Sequence, residues 1–188
     1  MPTLSVLKFR STSAHKLSSP ESPIKSKLKF LIRKLIPILG FGKYVGSICG
    51  VSCFVSTLGE LKNRAAIALP GIGIFVNPGD VTNVNLLRHE FGHILQAKKW
   101  GKLFFYRYIA MESIRSARRS NHDPKFVHQH TWTEWTANRL AYYFFKRPED
   151  WDTKSYPTCP PLQIRDGAEC PRILRLEKPT ELLRHTAI

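Results

Sequence analysis

Residues 89 to 93 read His-Glu-Phe-Gly-His, and this short string constrains the fold more than any other stretch. Two histidines four apart share a face only where the backbone is helical. In that conformation both imidazoles reach one metal ion, and Glu90, one step round, can hold a water on it. The flanks supply the helix. Leu87, Phe91, Ile94 and Leu95 give an apolar stripe on the opposite face. Asn77-Pro78-Gly79-Asp80 is a turn signal upstream. Gly101 stands where a helix from about Thr82 or Asn83 to Lys99 needs a left-handed cap. Such a string arises by chance about once in a few hundred chains of this length. Gly92 argues against chance: a mid-helix glycine costs about 1 kcal/mol relative to alanine, and the close approach of another backbone is a reason to keep it.

A metal that does chemistry needs a third protein ligand and an open position. The downstream donors are His122, His128, His130 and Glu134. The pattern predicts a helix from about Trp132 to Lys146, ending before Pro148. On that helix Glu134 and Asn138 are four apart and share a face. Glu134 would take the metal, and Asn138 would hold His89 or His93 by the ring nitrogen the metal does not use. Thr131-x-x-Glu134 also reads as a capping box, which would turn Glu134 back on the helix start. The ligand role is preferred because His89 and His93 alone leave a metal under-ligated, and His130 is the next candidate. Residues 103 to 117 predict a further helix, and 118 to 130, with Asn121, Asp123 and Pro124, a loop. Residues 64 to 76 are apolar but broken by Pro70 and Gly71, which reads as an edge strand or bent hairpin.

With these residues the chain resembles the gluzincins, zinc peptidases that pair H-E-x-x-H with a distant helical glutamate. His89, Glu90 and His93 match the first motif and Glu134 the second, with Asn138 where the family usually has Asp. The resemblance covers about residues 64 to 146. It implies a mainly helical α+β fold, zincin-like, with a small sheet whose edge strand lies beside the metal helix. It also implies Zn²⁺ held by His89, His93 and Glu134, and a peptide or protein substrate laid down as a further strand. Glu90 would take a proton from the zinc water and pass it to the leaving amine. The oxyanion would need another donor. His130 and Tyr142, four before and eight after Glu134, are preferred over Tyr106, Tyr108 and Tyr143.

The flanks are less informative. Residues 1 to 26, rich in Ser, Pro and Lys, read as a flexible basic tail. No standard signal peptide is visible, because Lys8, Arg10 and Lys16 interrupt any early apolar run. That suggests a cytoplasmic or membrane-associated protein. Residues 27 to 60 mix cations and apolar residues, as in a segment that docks on the domain or lies on a membrane surface. Within them Leu35 to Leu58 is long enough to span a bilayer, although Lys43, Pro37 and four glycines oppose it. The catalytic region would run from 61 to 150, followed by a Pro-rich extension, 151 to 188, which reads as an extended wrap to which the sequence assigns no function. The net charge of +15 favours anionic partners. It keeps open a non-catalytic basic module for nucleic acid or an acidic membrane surface, although no aromatic-basic nucleic-acid motif appears. Cys49, Cys53, Cys159 and Cys170 lack C-x-x-C spacing, which opposes a structural zinc knuckle.

Overall fold

Residues 43 to 55, apolar enough to suggest a membrane segment, instead fold back on themselves. In the computed structural model, which describes residues 7–9, 23–56 and 66–160, β2 (Lys43–Ile48) and β3 (Val51–Val55) form an antiparallel hairpin. Its turn is Cys49-Gly50, with φ of 47° and 82°, the pair of positive values that matches the twist of a two-residue hairpin. Gly50 adopts this freely; Cys49 does so at some cost. Among the described residues no helix is long and apolar enough to cross a membrane.

A second hairpin, β4 (Ala66–Leu69) and β5 (Gly73–Val76), is the bent hairpin expected around Pro70 and Gly71. β5 runs parallel to β3, and β1 (Leu7–Phe9) runs parallel to β2. The sheet order is therefore β1-β2-β3-β5-β4, with β4 at one edge. β1 falls inside the stretch read as a flexible tail; a strand of three residues is too short to carry a hydrophobic pattern.

Side chains alternate across this sheet, and each face is covered by a helix. Ile74 and Val76 join Ile48, Cys53, Leu87 and Phe91 on one face, against α2 (Val84–Trp100). Phe54 and Phe75, stacked at 5.0 Å, join Ile32 and Ile36 of α1 (Pro23–Ile38) on the other. Residues 43–55 thus share one sheet with 66–76.

Asn83 caps α2, its side chain accepting from the Leu86 amide at 3.1 Å, and Gly101 ends the helix with φ of 90°. Next come a short helix α3 (Lys102–Phe104), a π turn (Phe105–Ile109) and α4 (Ala110–His122). The expected second helix thus extends about one turn into the stretch read as loop. A 3-10 turn, His128–His130, leads into α5 (Trp132–Phe144). α5 packs across α2 so closely that a Cβ on Gly92 would overlap the backbone of Ala137. The close approach expected from Gly92 is therefore made by the helix that carries Glu134.

Candidate metal centre

The first two turns of α5 are buried all round, polar residues included. Thr133, Thr136 and Asn138 are fully buried, and Glu134 is 1 % exposed. Polar groups this deep must find partners or lower the stability by several kcal/mol. On the facing side of α2, His89, Glu90, His93 and Gln96 are also buried. The two sets meet across the Gly92–Ala137 contact.

The hydrogen bonds fix which ring nitrogens point inward. Asn138 donates its Nδ2–H to the Pro157 carbonyl at 2.9 Å, which turns its Oδ1 towards His89 Nδ1, 2.6 Å away. An amide oxygen can only accept, so Nδ1 of His89 carries the proton. His93 repeats the arrangement. Gln96 donates from Nε2 to the Thr133 carbonyl and Thr136 Oγ1, both at 2.6 Å, and its Oε1 accepts from His93 Nδ1 at 2.7 Å. Both Nε2 atoms are left to face Glu134 Oε2, at 3.2 and 3.5 Å.

His128, not His130, completes the cluster. Ser116 Oγ donates to the Ser113 carbonyl at 2.9 Å, so it accepts from His128 Nδ1 at 2.7 Å. His128 Nε2 then lies 3.4 Å from Glu134 Oε2. Four lone-pair-bearing atoms therefore converge when the rings are neutral, and the fully buried Glu134 Oε2 is then without a hydrogen-bond donor among the described residues. Only a proton or a cation relieves that arrangement. His89, His93 and Glu134 each offer a ligand atom within 4.8 Å of the others, a group that could hold a metal ion. The donor set of two imidazoles and a carboxylate suits zinc.

The electrostatics carry the same message. Burial opposes charge on His93, but the Glu134 carboxylate outweighs it, and with help from Glu90 and Gln96 the ring is pushed up to about 9. Burial would raise Glu134, yet the surrounding imidazoles hold it well below the usual carboxylate range. His128 is pushed down, first by burial and further by His89 and His93, against the pull of Glu134. Glu90 is raised by burial, against the pull of His89 and His93; it accepts the Ala68 backbone N–H of β4. The buried Glu134 carboxylate thus favours positive charge on the imidazoles that face it.

Two further residues of the expected set lie elsewhere. His130 is exposed; it precedes Thr131, the N-cap of α5, so it does not share that helix's face with Glu134. Within the 3-10 turn, residues two apart point about 120° away from each other, and His128 takes the inward position. Tyr142 is on α5 but about 12 Å further along the axis than Glu134, and its ring packs on Trp151 at 5.4 Å. Thr131 makes no side-chain cap bond, and its hydroxyl donates to the His128 carbonyl at 2.8 Å. The capping box is therefore not formed, and Glu134 Oε1 instead accepts from Thr133 Oγ1 at 3.1 Å.

Gln96 and Tyr156 are additions to the set, and His128, one of the four downstream donors, stands where His130 was the preferred alternative. Gln96 follows His93 by three residues, a helical spacing that could have flagged it. Tyr156 lies in the Pro-rich extension, to which the sequence assigns no function. Its ring sits 5.6 Å from that of His89, and its pKa is raised, first by burial and then by nearby Glu90, while a hydrogen bond with Asn83 lowers it. No local signal ties Tyr156 to residues almost seventy positions earlier. No family model, curated protein or solved structure matches this chain.

Proposed function

We propose that the chain is a zinc-dependent hydrolase that cleaves peptide bonds. The observation that carries this reading is the donorless Glu134 Oε2 facing His89 and His93 Nε2, with buried Glu90 alongside. His89, His93 and Glu134 would hold the ion. Zinc bound there supplies Lewis acidity and a water acidified towards neutrality. Glu90 is then the general base: its carboxyl is already raised by burial, which favours taking a proton and later giving it to a leaving amine. The Tyr156 phenol, beside His89 and Glu90, is placed to donate to developing negative charge. β4 is an edge strand, and the Ala68 N–H that reaches Glu90 lies on its open side. An extended peptide adding to that edge would cross the site, in the zincin-like manner the resemblance implies.

The test combines metal analysis with a peptide-library digest read by mass spectrometry. Freshly purified protein should carry one zinc per chain. Glu90→Gln should keep that zinc, because the three ligands remain, and lose about 10²–10⁴-fold in hydrolysis rate. Equal cleavage by wild type and Glu90→Gln rules out the mechanism. Stoichiometric zinc with no hydrolysis by either form points to a non-catalytic site.

A further inference from the structure

Helix α1 has two apolar faces, and only one is covered among the described residues. Ile32 and Ile36 pack on Phe54 and Phe75 of the sheet. On the same side Arg33 Nε donates to Ser52 Oγ at 2.9 Å and lies 4.9 Å over the Tyr44 ring. The neighbouring side, about 100° round the helix, presents Ile24, Leu28, Leu31, Leu35 and Ile38, at alternating spacings of four and three, the period of a continuous helical stripe. Their exposure runs from 41 % for Leu35 to 78 % for Ile24. Leu39 and Phe41, 60 % and 51 % exposed, extend the stripe past the helix end. Isolated exposed leucines need no explanation, but a contiguous stripe does.

The charge around this stripe is one-sided. Residues 22 to 59 contain Lys25, Lys27, Lys29, Arg33, Lys34 and Lys43 and no Asp or Glu. Exposed Lys27 and Lys34 border the stripe. A second copy of the chain would set these lysines against themselves. A bilayer with anionic headgroups supplies both an apolar phase for the stripe and negative charge for its border. We propose that α1 is an interfacial anchor, lying in the plane of an anionic lipid surface with Leu28, Leu31 and Leu35 inserted. α1 and the metal cluster lie on opposite faces of the sheet, so an anchored molecule turns its site away from the membrane. The proposal stands independently of the reaction at that site.

Co-sedimentation of the full chain with vesicles tests it. The probes are phosphatidylcholine alone and phosphatidylcholine with about a third phosphatidylglycerol. Binding is expected only to the anionic vesicles and should weaken as salt is raised. Leu31→Glu combined with Leu35→Glu should abolish it while leaving the circular dichroism melt unchanged, since both residues are exposed. Lys27→Gln combined with Lys34→Gln should lower the partition coefficient by about 25-fold, at about fivefold per cation, and serves as the decisive variant if the leucine changes perturb folding. The idea is overturned if wild type ignores anionic vesicles at low salt, binds both vesicles equally, or binds as well after both sets of substitutions. Self-association relieved by the leucine variant, without vesicle binding, assigns the stripe to a second copy instead. Absence of both behaviours leaves an acidic partner helix as the occupant and equally ends the lipid reading.

Discussion

Asn138 donates to the Pro157 carbonyl at one end of its amide and accepts from His89 at the other. Gln96 does the same between Thr133, Thr136 and His93. Each amide is thereby fixed in one orientation, and each imidazole in the tautomer that leaves Nε2 free. Replacing either amide with leucine removes that control while filling the buried position with a somewhat larger apolar side chain. Asn138→Leu and Gln96→Leu are each expected to lower zinc affinity by about 10–100-fold, measured by competition with a chromophoric chelator. The stability cost should be about 1–3 kcal/mol, from the buried partners left unsatisfied. Unchanged affinity in both variants would mean that the ligands orient themselves. Asn138 was legible because it shares a helix face with Glu134, and helical periodicity is local. Gln96 obeys the same logic at spacing three. His128 and Tyr156 owe their positions to the Ser116 contact and to the chain's return past Asp150, which no spacing rule encodes.

At the scale of elements, the site depends on how closely α2 and α5 approach. Gly92 touches the Ala137 backbone, and with it come Glu134 and Asn138 on one side and His89 and His93 on the other. Gly92→Ala improves helix propensity by about 1 kcal/mol, yet a methyl group has no room against the Ala137 carbonyl. The clash is with backbone, so the helices must separate. A net loss of about 1–3 kcal/mol is expected, read from the denaturant midpoint, together with weaker zinc binding as Glu134 withdraws. Stability within about 0.5 kcal/mol of wild type, with zinc affinity intact, would show that the contact can relax. α2 and α5 were legible from periodicity and caps, as was the turn near Pro70. The β2–β3 hairpin was not: both strands are mostly apolar, interrupted only by Lys43, Ser47 and Ser52, and so read much like a membrane segment, with the Cys49-Gly50 turn as the main local sign of a hairpin. Nor does the sequence reveal the parallel β3–β5 pairing, which joins strands across residues 57 to 65.

For the molecule as a whole, a metal held by the buried cluster would couple protons to folding. In the metal-free protein His93 titrates near 9, against an ordinary value of 6.5 in the unfolded chain. A raised histidine pKa stabilises the fold fully below about 6.5, and the stabilisation is lost as pH rises through about 9. The slope across that window approaches 1.4 kcal/mol per pH unit for one proton. Glu134 has the opposite sign: its pKa is depressed, so its contribution is present above the ordinary carboxylate range and disappears only in acid. Between pH 6.5 and 9, therefore, His93 dominates the change within the cluster. With zinc bound, His93 must be deprotonated in the folded state, as it already is when unfolded at these pH values, and that slope vanishes. Groups outside the cluster titrate alike with and without metal and cancel in the difference. Thermal melts of zinc-loaded and chelated protein should accordingly diverge as pH rises from 6.5 to 8.5, with the chelated form losing ground. Calorimetric titration at pH 7 in buffers of different ionisation enthalpy should register at least one proton released per zinc bound, one from His93 and a further fraction from the zinc water. A gap between the two melting curves that stays constant or closes over this range, with no proton release, would mean that His93 is neutral before the metal arrives and that the converging lone pairs are tolerated without a cation.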